Sequence, residues 1–179
     1  MARIASIASG LPRPESPPSS PNGQRPAPPD CAFLHLLANS PAATEGYLAC
    51  YGALAGGRLT PRQRELLALA VAEINGSKYC LAAHGARAKE AGLSEDDIRF
   101  ARKATASDPQ EDAMLRFAQA VTLQRGDVSD ADFNTLKRAH FTDGQIAEIV
   151  ANIALNIFTN YFNVLARTEM DFPALKPEW

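Results

Sequence analysis

The sequence predicts an all-α fold, a bundle of helices joined by short loops. Helix-start signals recur along most of the chain, and a long final segment has apolar residues at i, i+3 and i+4 spacing. No segment alternates apolar and polar residues with period two. The chain has 179 residues, of which 46% are hydrophobic and 21% are charged. This length and composition fit one compact globular domain.

Residues 1–30 are predicted to form an extended arm, and residues 31–179 an all-α domain. Eight prolines lie between Pro12 and Pro29. Because proline fixes φ and lacks a backbone N–H, this stretch cannot form a helix or a core strand. We expect the arm to lie across a neighbouring subunit, since prolines lose little entropy when they are held in place.

Seven helices are predicted from residues that can cap a first turn. These residues are Ser40, Thr60, Ser77, Ser94, Asp108, Ser129 and Thr142. Gly56, Gly92 and Gly126 are expected near helix ends, where a left-handed residue often follows the last turn. The helix that follows Thr60 contains the sequence LLALAVA, which is apolar almost all round and therefore typical of a buried helix.

The final helix is predicted to bury an apolar stripe and to place a polar strip beside it. The stripe consists of Ile146, Ile149, Val150, Ile153, Ile157, Tyr161, Val164 and Leu165. The strip consists of Asn152, Asn156, Asn160 and Asn163. We interpret the asparagines as a hydrogen-bonded helix or subunit interface in preference to the lining of a cavity.

Cys80 and His84 are four residues apart, so on a helix they share one face and their side chains can touch. With Ser77 as the N-cap, Cys80 is the third helical residue, where free backbone N–H groups and the helix dipole stabilise a thiolate. A neighbouring imidazole can accept the thiol proton. Lys78 adds a positive charge nearby. This pattern predicts an activated cysteine.

Glu65 is expected at the edge of the buried helix that precedes Cys80. A carboxylate in such a place is costly unless it has a partner. The short Asn75-Gly76 turn folds the next helix back, so His84 is the predicted partner of Glu65. Glu65 could then orient the imidazole or pass protons between it and water.

The order Glu65, Ser77, Cys80 and His84, with the later segment GQIAEIVANIALNIFTNYFN and the DFP ending, resembles the alkylhydroperoxidase AhpD-like branch of the carboxymuconolactone decarboxylase-like family. The resemblance extends over roughly residues 31–173. It implies an all-α bundle that assembles into trimers or hexamers. It also implies hydroperoxide reduction, in which a Glu, a His and water pass the proton from the second cysteine of a CxxC pair.

Ser77 stands where the redox members of that family have the first cysteine of the pair. A hydroxyl cannot form the disulfide that resolves an oxidised cysteine. Oxidised Cys80 would therefore need Cys31, Cys50, a thiol of another subunit or a small thiol. Tyr79 also replaces a histidine that some members have beside the thiol. The predicted catalytic set is Cys80, His84, Glu65 and Ser77.

Three functions follow from these residues. The first is a peroxidase-like thiol oxidoreductase with one reactive cysteine and a His/Glu proton relay, acting on a hydroperoxide with a thiol reductant. The second is a decarboxylase or isomerase of the wider family, which would use no thiol. The third is a non-catalytic oligomeric or redox-sensing protein. In each case we expect a homo-oligomer, either a trimer, a dimer or a hexamer.

The net charge of -2 and the scattered basic residues predict no nucleic-acid partner. The apolar runs are shorter than a bilayer span needs, so no membrane association is predicted. Three cysteines, an odd number, argue against a disulfide framework and favour a reducing cytoplasm. Cys31 and Cys50 are interpreted as small buried hydrophobes, and His35 and His140 as surface or packing residues. No metal site or other cofactor is expected.

Overall fold

The computed structural model describes residues 2–6 and 31–175, and in these ranges the regular secondary structure is entirely helical. The eight helices of the described chain are α1 (Ala32–Leu37), α2 (Pro41–Ala55), α3 (Pro61–Ile74), α4 (Lys78–Glu90), α5 (Glu95–Arg102), α6 (Pro109–Gln124), α7 (Asp130–Arg138) and α8 (Asp143–Ala166). The predicted all-α class is confirmed.

All seven predicted starts are helix N-caps. Thr60 and Thr142 each form a capping box with a glutamine three residues later, in which each side chain accepts from the other's backbone N–H. The short helix α1 was not predicted, because its N-cap Cys31 makes no side-chain capping hydrogen bond. Helix α8 ends at Ala166, and Arg167 after it has a left-handed backbone conformation with φ 52°.

Helix α3 lies at the centre of the bundle and packs against α4, α5, α6 and α8. Its residues from Leu66 to Ala72 are at most 2% exposed. The prediction of a helix buried on all sides is therefore confirmed. Glu65 lies near the start of this helix. Because α3 packs against α4, the packing of the two helices sets the position of Glu65 relative to α4.

The predicted orientation of α8 is partly wrong. Three residues of the apolar stripe, Ile146, Ile149 and Ile153, are buried as predicted. Four others are exposed by 43–60%: Val150, Tyr161, Val164 and Leu165. The four asparagines turn inward in their place and are at most 7% exposed. Hydrophobicity alone misplaced this helix, because the buried amides of Asn152, Asn156 and Asn163 donate hydrogen bonds to backbone carbonyls of the same helix.

The length and composition of α8 would allow it to cross a membrane. A core helix of a soluble protein passes the same test, and α8 contributes nine buried residues to the bundle. Four of these nine are asparagines, whose amides would be costly in a bilayer core. We therefore interpret α8 as a core helix of a soluble fold.

The first described residues are held by the same chain. The backbone N–H of Arg3 donates to the carbonyl of Ala166 at 2.7 Å, and Asn39 Nδ2 donates to the carbonyl of Ala5 at 2.8 Å. Residues 7–30, which hold the proline-rich part of the predicted arm, lie outside the described residues. The contact between the arm and a neighbouring subunit stays a prediction.

Candidate functional site

Cys80 is the third residue of α4, as its spacing from Ser77 predicted. The cysteine is only 3% exposed. Asn163 Nδ2, on α8, lies 3.4 Å from Cys80 Sγ and donates a hydrogen bond to it. A donor that points at sulfur stabilises negative charge there, as does the start of a helix. Cys80 therefore lies in the first turn of α4 and accepts a hydrogen bond from α8.

His84 lies one turn after Cys80 and is hydrogen-bonded to Glu65. Its Nδ1 is 2.8 Å from Glu65 Oε2, and the two side chains are 15% and 18% exposed. The tight turn between α3 and α4 makes this contact possible, with Gly76 at a φ of +65° that favours glycine. With Nδ1 facing the carboxylate, Nε2 is the ring nitrogen free to exchange a proton elsewhere.

Cys80 and His84 face a common small cavity, which we call the thiol cavity. Cys31, Tyr79 and Phe172 also line it. Both side chains therefore border one space, while the predicted contact between them stays a prediction. Cys31 was interpreted only as packing and as one of several thiols able to resolve Cys80, yet it borders the same space as Cys80.

A second and larger space meets the thiol cavity, and we call it the arginine cleft. It encloses about 520 Å³ of empty space, including its open mouth. Arg64, Glu65, Arg87 and Tyr51 are among its lining residues. Tyr47, His84, Arg87 and Thr159 line both spaces. The two spaces therefore adjoin at the imidazole of His84 and the guanidinium of Arg87.

Sequence reasoning missed Arg87, although its position carried a signal. It lies three residues after His84 and seven after Cys80, so it shares their face of α4. Burial lowers the pKa of Arg87, but the negative charge of Glu65 and the nearby tyrosines raise it, and the net shift is upward. Arg87 is therefore a permanent positive charge in the site.

Ser77 is fully buried, and within the described structure its Oγ has no hydrogen-bond partner. Although Ser77 is the N-cap of α4, its side chain does not cap the helix. Ser77 is also absent from the residues that line the thiol cavity. Ser77 is thus only three residues before Cys80 in the sequence. In the described structure, however, its hydroxyl neither makes a hydrogen bond nor borders the thiol cavity.

The three cysteines have different surroundings. Cys31 and Cys80 are buried, whereas Cys50 is exposed on α2, so the interpretation of Cys50 as a buried hydrophobe is wrong. Burial raises the pKa of the Cys31 thiol, and a hydrogen bond with Tyr79 only partly offsets this. Tyr79 also accepts a hydrogen bond from the backbone N–H of Phe33 at 3.3 Å, which joins α1 to α4.

Three of the four α8 asparagines line the site, and the predicted hydrogen-bonded helix interface is present at Asn160, whose Oδ1 accepts from Asn75 Nδ2 at 3.0 Å. Asn152 and Asn156 border the arginine cleft, and Asn163 borders the thiol cavity. Each donates to a backbone carbonyl of the preceding turn at 2.8–2.9 Å. These bonds within α8 let its polar side chains face the cavities, and Asn163 also donates to Cys80 on α4.

Among the described residues, no three side chains of His, Cys, Asp or Glu cluster closely enough to hold a metal ion. The chemistry derived below uses only the side chains of this chain.

Comparisons with known proteins agree with this geometry. The model of the carboxymuconolactone decarboxylase family matches residues 41–123, a range that holds Glu65, Ser77, Cys80 and His84. A solved structure from Agrobacterium tumefaciens, a protein of unknown function with a suggested AhpD antioxidant-defence role, is 29% identical. It has a TM-score of 0.69, over 75% of this chain and 94% of that chain.

An uncharacterised peroxidase-related protein from Ralstonia eutropha JMP134, with an alkylhydroperoxidase AhpD core, is 28% identical with a TM-score of 0.69. The match extends over 78% of this chain and 76% of that one. The chain is thus similar to the AhpD-like, carboxymuconolactone decarboxylase-like family in sequence over residues 41–123 and in its fold. The predicted resemblance and the helical fold are confirmed.

A peroxidase-related protein from Silicibacter sp. TM1040 shares the fold of this AhpD-like protein. Its TM-score is 0.70 at 24% identity, over 76% of this chain and 74% of that chain. No curated protein sequence matches the chain. The comparisons support a peroxidase-related or carboxymuconolactone decarboxylase-family function in general.

Proposed function

We propose that this AhpD-like protein reduces hydroperoxides with Cys80 as the reacting thiol and His84 and Glu65 as its proton relay. The observation that supports it best is the 2.8 Å contact between His84 and Glu65, one helical turn after a thiol that borders the same cavity as His84. A thiol, a base and a group that orients the base are the parts that an activated nucleophile needs.

The first step is deprotonation of Cys80. Glu65 accepts a hydrogen bond from Nδ1–H of His84, which leaves Nε2 unprotonated and able to accept the thiol proton. The resulting thiolate is stabilised by the first turn of α4 and by the amide of Asn163. The proton is then held on the imidazole beside the carboxylate.

In the second step the thiolate attacks the terminal oxygen of a hydroperoxide, ROOH. An S–O bond forms as the O–O bond breaks, so sulfur is oxidised to a sulfenic acid and the peroxide is reduced to an alcohol. The leaving alkoxide takes the proton held on His84. One peroxide is consumed, and Cys80 carries one hydroxyl oxygen at the end of this step.

Resolution requires a second thiol, which Ser77 cannot supply. We propose that Cys31 takes this role, because it borders the same cavity as Cys80 whereas Cys50 lies exposed on α2. Attack of Cys31 on the sulfenic sulfur would form a Cys31–Cys80 disulfide and release water. An external dithiol would then reduce that bond and restore both thiols.

Peroxide consumption by the full-length protein, with dithiothreitol as reductant, tests the proposal. Cys80→Ser should abolish consumption, and Cys50→Ser should leave it unchanged. Cys31→Ser should still yield a sulfenic acid at Cys80, trapped by dimedone, but no internal disulfide. A wild-type rate equal to that of Cys80→Ser would refute the peroxidase assignment, whereas a lyase reaction of the family would survive this substitution.

The proposal includes a cytoplasmic location and a homo-oligomer. Free thiols in all three cysteines suit a reducing compartment. The exposed apolar residues of α8 suit an interface between copies of the chain. The hydroperoxide and the thiol reductant are the partners of the reaction.

A further inference from the structure

The guanidinium of Arg87 has one buried donor without a partner among the described residues. The atom Nε is buried and has no hydrogen-bond partner in the described structure. Two other partly buried arginines, Arg62 and Arg102, each contact a carboxylate at 2.6–2.9 Å. In the part of the chain that the structure describes, no carboxylate forms an ion pair with Arg87. A buried N–H without a partner costs free energy, so Arg87 Nε is a donor available to a ligand.

The charges of the arginine cleft leave an excess of one positive unit. Arg64 and Arg87 are positive, and Glu65 is the one carboxylate among the lining residues. Arg64 Nη1 donates to the carbonyl of Leu59 at 2.7 Å, an uncharged partner. Burial raises the pKa of Tyr47, so its hydroxyl stays neutral and cancels none of this charge.

We propose that the arginine cleft binds a small organic monoanion, with a carboxylate on the guanidinium of Arg87. A carboxylate presents two oxygens in a plane and can accept from the planar fork of a guanidinium. A monoanion balances the single excess charge of the cleft, whereas a phosphate dianion would add repulsion with Glu65. The hydroxyls of Tyr47 and Tyr51 supply further donors at the same wall.

The ligand's position connects binding to chemistry. Arg87 and His84 line both the arginine cleft and the thiol cavity, so a molecule held by Arg87 adjoins the space that Cys80 borders. Resting on the proposed function, this makes carboxylate-bearing organic hydroperoxides the preferred substrate class. The binding itself does not depend on thiol chemistry.

Isothermal titration calorimetry of the reduced full-length protein with benzoate, and with benzamide as a neutral molecule of the same shape, tests the site without any variant. We expect benzoate to bind and benzamide to bind at least about tenfold more weakly, since a hydrogen-bonded charge supplies the difference. Equal binding of the two, or no binding of benzoate, would overturn the proposal.

Variants then locate the binding. Arg87→Gln should weaken benzoate binding about tenfold or more, and Arg87→Lys should restore part of it. Arg99→Gln is the matched control, because this arginine is exposed on α5 and pairs only at the surface with Asp96. Circular dichroism verifies that each variant is folded, and if Arg87→Gln is not, Arg87→Lys and the wild-type comparison decide. Unchanged affinity in a folded Arg87→Gln protein would overturn the site.

Hydrogen peroxide separates the two proposals, because it has no carboxylate. If the protein consumes hydrogen peroxide but benzoate does not bind, the thiol reaction stands and the anion site fails. If benzoate binds but no peroxide is consumed, the site stands and the peroxidase assignment fails.

Discussion

Glu65 Oε2 lies 2.8 Å from His84 Nδ1, although the two residues are 19 apart in sequence and belong to consecutive helices. The contact joins a helix buried on all sides to the helix that bears Cys80. The imidazole of His84 is therefore held by a carboxylate that belongs to the central helix. This is the relationship on which the proposed reactivity of Cys80 depends.

Replacing His84 by Gln should slow peroxide consumption by about 100-fold or more, because the group that takes and returns the proton is lost. Glu65→Gln keeps the shape and can still accept a hydrogen bond from Nδ1 of His84, so a smaller loss is expected. Glu73→Gln, which removes a carboxylate of the same helix that pairs with Arg102, is the control. Steady-state rates at several pH values measure all three. Equal rates in His84→Gln and wild type would exclude the relay.

The order in which the three cysteines react should depend on the size of the reagent. Cys50 is exposed and should be labelled first by a bulky maleimide, whereas hydrogen peroxide is small enough to reach buried Cys80. Cys31 should be the slowest with both reagents, because burial raises its pKa and so lowers its thiolate fraction. Mass spectrometry of each cysteine over time gives the order. Oxidation of Cys50 or Cys31 before Cys80 would contradict the activation of Cys80.

Ser77→Ala should increase the free energy of unfolding by about 1 kcal/mol. An N-cap serine usually stabilises its helix, but this hydroxyl caps nothing and is buried without a partner in the described structure. Denaturant titration measures the effect, and Ser94→Ala, which removes a hydroxyl that does cap α5, should have the opposite sign. A loss of stability in Ser77→Ala would show that Ser77 has a partner after all.

Ser77→Cys should restore a dithiol pair with the spacing of the family's redox members. Under mild peroxide the new thiol should form a disulfide with Cys80 and permit turnover with a dithiol. Peptide mapping without reductant detects the bond. If a folded variant forms no such bond, the start of α4 has a geometry that a CxxC disulfide cannot adopt.

The fold could be predicted from the sequence more fully than the candidate site. Helix starts depend on local capping chemistry, so the N-caps Thr60, Ser94 and Thr142 could be predicted from the sequence. The pairing of Glu65 with His84 needed only one short turn between two helices. Helix α1 was not predicted, because it is held by contacts with residues distant in the sequence, such as Asp171 and Tyr79.

The inward asparagines and Arg87 could not be deduced as readily. Hydrophobic periodicity assumes that apolar residues are buried, but a helix that lines a polar cavity on one side and leaves apolar residues exposed on the other breaks that assumption. Val150 and Asn152 show the failure, since the first is 43% exposed and the second 4%. The position of Arg87 on the face of Cys80 was visible, but its lack of a partner depends on tertiary structure.

Acid should weaken the fold through the ion pair of Arg62 with Asp97. The hydrogen bond from Arg62 holds the Asp97 pKa below its ordinary value of 3.8. A depressed folded-state pKa contributes stability above the unfolded pKa, and this is lost as the pH falls through the folded value. Asp97→Asn should therefore cost about 1–2 kcal/mol at neutral pH and progressively less below about pH 4.

Thermal or denaturant unfolding of wild type and Asp97→Asn at pH 7 and pH 3 measures this difference. Asp96→Asn is the control on the same helix, because its pair with Arg99 is largely exposed and should contribute little. A difference between wild type and Asp97→Asn that stayed constant with pH would rule out the ionic contribution.

The exposed apolar face of α8 should be the interface of the proposed homo-oligomer. Phe158, Tyr161 and Leu165 recur at helical spacing and are 39–60% exposed. The double variant Tyr161→Glu, Leu165→Glu should reduce the assembly measured by light scattering, whereas Leu123→Glu, 63% exposed on α6, should not. A wild-type protein that is monomeric at micromolar concentration would refute the homo-oligomer itself.

Because α8 has a polar side that faces the site and an apolar side that faces outward, it connects the site with the proposed assembly. One side of the helix borders the thiol cavity and the arginine cleft, and the opposite side is the apolar face described above. With that face covered by another copy, the melting temperature rises with protein concentration, because association adds to the free energy of the folded state. Dilution would then loosen the wall beside Cys80, so specific activity would fall as the protein is diluted even at saturating peroxide.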